Sequence, residues 1–168
     1  MSEKEQVMKE KVEHSGIFNF AGFYSFAYSW FRDEQYDGVD EEKYAEKVSG
    51  NSRDIDIEWK AFKSMSDYFK IEQKLVFQIR DLTDVEVEID GKKKKMNKGN
   101  ISVEIKTTLV RDPESKWDRM PTLRFMRDVY NKYVIPGRVT SMKEKARENT
   151  AKFKEELKAY LELTGRRN

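Results

Sequence analysis

Apolar and charged residues alternate through most of the stretch from Arg53 to Val110. Ile55, Ile57, Trp59 and Ala61 alternate with Asp54, Asp56, Glu58 and Lys60. Phe69, Ile71, Leu75, Phe77 and Ile79 follow at the same period, then Val85, Val87 and Ile89, then Ile101, Val103, Ile105 and Leu109. Successive side chains of a strand point to opposite faces. The pattern therefore predicts an antiparallel sheet with one apolar face and one solvated face. Charge also selects a register for the hairpin of 53–63 with 68–80. Both apolar sets are odd-numbered, so directly opposed numbers must sum to an even value. Pairing Ile57 with Leu75 sets Lys60 against Glu72 and Glu58 against Lys74. Sliding by two sets Lys60 against Lys70 one way and against Lys74 the other. Opposite charges across a strand pair help by about 0.2–1 kcal/mol and like charges hurt, so the first register is expected.

The period changes to a helical one on both sides of this region. Phe20, Phe23, Tyr24, Ala27, Trp30 and Phe31 predict a helix over Ile17–Phe31, with Asn19 placed to cap it. Phe26 and Tyr28 widen its apolar face, which suits packing on the dry side of the sheet; the stretch is too short to span a membrane. An acidic linker is expected at Asp33–Glu42, a short strand at Lys43–Val48 and a turn at Gly50-Asn51-Ser52. Pro113 and Pro121 bracket a connection containing Trp117. From Pro121, Leu123, Met126, Val129, Tyr130, Tyr133 and Val134 mark an amphipathic helix reaching Ile135, which Pro136-Gly137 ends or kinks. The last helix runs over Arg138–Leu163, roughly 40 Å at ~1.5 Å per residue, with Gly165 as its stop. Its narrow stripe is Val139, Met142, Ala146, Phe153, Leu157, Tyr160 and Leu161. Residues 1–13 are nearly all charged or polar and read as a frayed helix or disordered tail, leaving 14–168 as a single domain. The expected fold class is α+β: an antiparallel β-meander of four to six strands, packed with an aromatic N-terminal helix and two C-terminal helices, the last one long.

Composition narrows the function classes. Lys+Arg 33 against Asp+Glu 31 leaves a net charge of +2, so any attraction to nucleic acid or anionic lipid must come from a local patch. The absence of cysteine excludes disulfides, thiolate metal sites and cysteine nucleophiles. The single histidine, His14, excludes a multi-histidine metal site and stands beside a charged segment as a surface residue. No apolar leader or membrane-length run is visible, which makes the cytoplasm the expected location.

The loudest local signal is Lys92, Lys93, Lys94 and Lys95, with Lys98 close by: a candidate polyanion-binding set. Against that stands a hairpin. Asp90-Gly91 is a strong two-residue turn signal, and it places Glu88 opposite Lys93, Glu86 opposite Lys95 and Val85 opposite Met96. The lysines then belong to a self-neutralised ribbon, and no aromatic is interleaved for base stacking. Asp54, Asp56 and Glu58 share a strand face at ~6.5–7 Å spacing. One flat strand does not wrap a cation, so they are read as a solvated face beside Lys74. No paired carboxylates, nucleophile elbow or phosphate-cradling glycine loop is present, so no catalytic activity and no cofactor are expected.

The strings Asp54-Ile55-Asp56-Ile57-Glu58-Trp59, Thr83-Asp84-Val85-Glu86-Val87-Glu88, Lys95-Met96-Asn97-Lys98-Gly99-Asn100 and Ser115-Lys116-Trp117 resemble a group of small archaeal proteins of unknown function. That resemblance implies no chemical role for any residue. In element order, a curved sheet with a long C-terminal helix is similar to the helix-grip lipid-binding fold, although this chain has too few strands for it; fold likeness alone does not carry function. Three expectations follow. The first is a non-enzymatic protein-interaction or scaffold module. Its candidate partner-binding residues are Arg124 and Arg127 on the first C-terminal helix and Val139, Met142, Phe153 and Leu157 on the second. The second is a carrier of an apolar ligand between sheet and helix. The third is a nucleic-acid-associated protein, weakly binding at most, using Lys92–Lys98 with Arg166 and Arg167.

Overall fold

A computed structural model describes residues 3–111, 121–129, 132 and 136–166. Trp117, Tyr130, Tyr133, Val134, Ile135 and Arg167 lie outside the described residues. Five strands form one antiparallel sheet: β1 (Glu3–Phe18), β2 (Gly38–Ser49), β3 (Ser52–Ser64), β4 (Phe69–Ile89) and β5 (Lys92–Arg111), in the order β1-β5-β4-β3-β2. The helices are α1 (Phe20–Asp33), α2 (Pro121–Val129) and α3 (Pro136–Arg166). Strands β2 to β5 are the expected meander. Helix α1 links β1 at one edge to β2 at the other.

Helix α1 starts where its cap dictates. The Asn19 side chain accepts a hydrogen bond from Gly22 N, so Ile17 and Phe18 belong to β1 instead. Phe23, Ala27, Trp30 and Phe31 of α1 and Phe153, Leu157 and Leu161 of α3 pack on Ile55, Ile57, Trp59, Leu75 and Phe77. Phe69, Ile71, Leu109 and Ala146 form a second, smaller cluster, with Val139 and Met142 against it. Between the two clusters lies a buried polar knot. Thr107 Oγ1 donates to Gln73 Oε1 at 2.7 Å, Gln73 Nε2 donates to Thr150 Oγ1 at 3.2 Å and to the Tyr36 hydroxyl at 3.4 Å, and Thr150 donates to Ala146 O at 2.9 Å. Every buried polar atom of Gln73 thus has a partner.

Three expectations need correction. Residues 3–13 are not a tail but most of β1, paired to β5 from Glu3↔Arg111 to Phe18↔Asn97. The covered face of this strand sets Glu5 and Glu10 among Met8, Val12 and Phe18. α3 holds the two carboxylates by ion pairs, Lys143 to Glu5 at 2.7 Å and Lys154 to Glu10 at 2.8 Å, and they interrupt the apolar alternation. The acidic linker is short, because β2 already begins at Gly38. The β3–β4 register is Ile57↔Phe77, Trp59↔Leu75 and Lys60↔Lys74, not Ile57 with Leu75. It places small Ala61 opposite Gln73, which leaves the amide room for its knot. Lys60 still reaches Glu72 diagonally at 3.2 Å, so the expected charge pairing survives without direct opposition. At the C-terminus, α3 begins at Pro136 and runs past Gly165 to Arg166.

Candidate functional site

Two places present chemistry that the core does not consume: the β4–β5 hairpin arm and helix α2. The arm forms as the turn signal requires. Asp90 (φ 52°) and Gly91 (φ 77°) are both left-handed, the geometry of a two-residue hairpin turn. The pairs Glu88↔Lys93, Glu86↔Lys95 and Val85↔Met96 form as expected. Pairing of β4 with β3 ends at Leu82 and that of β5 with β1 at Asn97, so 85–89 and 92–96 stand out as a two-stranded ribbon.

A β-bulge at the base of the arm changes which face its side chains occupy. β4 passes from Arg80↔Asn100 to Thr83↔Lys98, two residues against the single Gly99. Asp81 takes φ 54° to make the bulge, and its N–H donates to Asp54 Oδ1 at 3.0 Å. Arg80 pairs with Asp56 at 2.8 Å. Gly99 lets the bulge approach closely: a Cβ there would sit 3.0 Å from Arg80 O and 3.1 Å from Leu82 Cα, and the bulge backbone would have to give by a few tenths of an ångström. Before the bulge, odd-numbered residues of β4 face α1 and α3; after it, Leu82, Asp84, Glu86 and Glu88 do. Val85, Val87 and Ile89 therefore point to the opposite face, partly exposed, alongside Lys92, Lys94 and Lys98. Lys92 and Lys94 oppose Ile89 and Val87, not acids. None of Lys92, Lys93, Lys94, Lys95 and Lys98 makes an ion pair among the described residues, so the register of the ribbon holds but its salt bridges do not close. One sequence signal marks the inversion: Leu82 is apolar at an even position between two odd-numbered apolar runs.

Beside the bulge lies an open surface hollow of about 580 Å³, lined by Ser15, Gly16, Asp81, Thr83, Lys98, Gly99 and Asn100. Asp54 and Asp56 are thus engaged at the bulge, while Glu58 lies opposite Val76 and not Lys74. His14 lies on β1, near Ile17 O at 3.4 Å and edge-on to Phe18. No group of three or more metal-capable side chains comes together among the described residues.

Helix α2 is turned the unexpected way round. Leu123 and Arg127 are its less exposed positions, one turn apart, whereas Phe125 is 69% exposed, Met126 51% and Val129 38%. None of its residues is buried. The remaining partner-binding candidates lie on α3 and face inward. Phe153 and Leu157 are fully buried in the main core, and Val139 and Met142 pack on the smaller cluster. The stripe is narrow because dense ion pairs flank it, including Lys152 with Glu34. Phe153 and Leu157 are therefore core residues, not a contact surface.

No family model, no curated protein and no solved structure matches this chain. No described helix is long and apolar enough to cross a membrane.

Proposed function

We propose that this protein is a non-catalytic interaction module whose contact surface is the outward side of α2. One observation carries the reading: of the four large apolar groups of the helix, Leu123 is partly covered and the other three, Phe125, Met126 and Val129, are exposed. An amphipathic helix normally turns such residues to its own core. Positions 125, 126 and 129 fall on one helical face, the spacing that enters an apolar groove on a partner protein. Arg124 is exposed on another side of the same helix, and Arg127 lies on the inward side.

A carrier of an apolar ligand takes second place. The room between sheet and helices is filled by rings: Trp59 to Phe77 at 4.8 Å, Phe31 to Phe153 at 4.9 Å and Phe23 to Phe77 at 6.2 Å between centroids. The test is a photo-crosslinking side chain at position 125, with position 47 on exposed β2 as control. A discrete adduct at 125, abolished by Met126→Asp and absent at 47, supports the reading. Equal labelling at both positions, or none at 125, refutes it.

A further inference from the structure

We infer that the hairpin arm docks on an anionic lipid surface through the face that carries Val85, Val87, Ile89, Lys92, Lys94 and Lys98. This surface is separate from α2 and does not depend on the reading given to that helix. Strand alternation puts Asp84, Glu86 and Glu88 on one face of the arm, and the bulge turns that face to the side of the helices. The arm has nearly balanced charge overall, with Asp84, Glu86, Glu88 and Asp90 against five lysines. Asp84, Glu86 and Glu88 lie on the side of the helices, and Asp90 is in the turn. Beyond the bulge the opposite face keeps three lysines with Val85, Val87, Ile89 and Met96 between them, and its one carboxylate, Asp81, lies in the bulge beside Lys98.

Protection of the open edges of the ribbon does not account for this. Charge on either face blunts strand pairing; nothing in that role requires all three strand carboxylates on one side. Nucleic acid fits less well, since neither strand of the arm carries an aromatic side chain on which bases can stack. Lysines interleaved with aliphatic groups match a bilayer interface, where ammonium groups meet phosphates and Val or Ile enters the acyl boundary. A lysine close to such a surface contributes about 1 kcal/mol, or about fivefold in partition.

The experiment is sedimentation with vesicles of equal parts phosphatidylglycerol and phosphatidylcholine, against vesicles of phosphatidylcholine alone, at low and at physiological salt. Binding is expected to the anionic vesicles only. Lys92→Ser/Lys94→Ser should weaken it about 25-fold, and Ile89→Ser about tenfold. Lys93→Ser/Lys95→Ser carries the same change in net charge on the other face and should weaken it at least about fivefold less than the first pair. Circular dichroism checks that each variant is folded, and the exposed position of the arm gives the lysine changes little leverage on the core. Absence of binding to anionic vesicles overturns the inference. Equal losses in the two lysine pairs also overturn it, because they reduce the effect to net charge. A parallel titration with single- and double-stranded RNA gives the other outcome: tight, steeply salt-dependent binding there, without vesicle binding, makes the arm a nucleic-acid surface and refutes the lipid one.

Discussion

Replacing Trp59 tests the centre of the fold most directly. Its side chain is 1% exposed, between Phe77 at 4.8 Å, Tyr24 at 5.1 Å and Tyr28 at 6.0 Å between ring centroids. The indole N–H donates to Glu41 Oε2 at 2.9 Å, and the Tyr24 hydroxyl donates to the same oxygen. Trp59→Ala removes the ring and leaves a cavity that the surrounding rings of α1 and β4 cannot fully close. Large aromatic truncations of this kind cost about 3–5 kcal/mol. At about 2–4 °C per kcal/mol for a chain of this size, Tm should fall by about 6–20 °C. Trp59→Phe keeps one aromatic ring in the site and removes the rest of the indole together with the hydrogen bond. Glu41 is exposed and regains water, so that variant should lose less than Trp59→Ala, about 1.5–3 kcal/mol. Urea unfolding followed by far-UV circular dichroism measures both. A Trp59→Ala loss within about 0.5 kcal/mol, the range of surface substitutions, would show that this face is not the core.

Two other expectations follow from the polar knot and from the tyrosines. Thr107→Val removes the donor to Gln73 Oε1 inside the core, and an unsatisfied buried acceptor should cost about 1–3 kcal/mol in the same urea assay; a neutral result would mean that water reaches the knot. Burial, reinforced for Tyr24 by its hydrogen bond to Glu41, pushes the hydroxyls of Tyr24 and Tyr36 up to about 12, against about 10 in an unfolded chain. The folded state then binds more protons than the unfolded state between these values. Their contribution is intact below about pH 10 and is lost as pH rises toward about 12. Tyr36→Phe should flatten that alkaline limb of the stability profile, and an unchanged slope would dismiss Tyr36 as its source.

Much of the architecture was legible because it rests on local signals. The period of two named β3, β4 and β5, Asn19 marked the start of α1, Asp90-Gly91 defined the arm and its pairing, and Pro121 opened α2. Each of these depends on residues close in sequence, where backbone geometry and capping act directly. The candidate surfaces were legible only in part. The lysines of the arm were visible, but the face they occupy was not, and the stripe on α3 gave no sign of whether it met a partner or its own sheet.

What remained for the tertiary structure was every choice between partners distant along the chain. Strand β1 exists because β5 offers it backbone hydrogen bonds and α3 offers cations to Glu5 and Glu10; neither is visible in a charged N-terminal segment read alone. The β3–β4 register follows the fit of Gln73 beside Ala61, Thr107 and Thr150, a buried arrangement that outweighs cross-strand charge terms worth tenths of a kcal/mol. The exposed side of the arm is set by one extra residue in β4, held by Asp54, Asp56 and the missing Cβ of Gly99. Alternation along a strand says which residues share a face. Which of the two faces is covered depends on the register and bulges of the assembled sheet, and the sequence carries these only through contacts that form on folding.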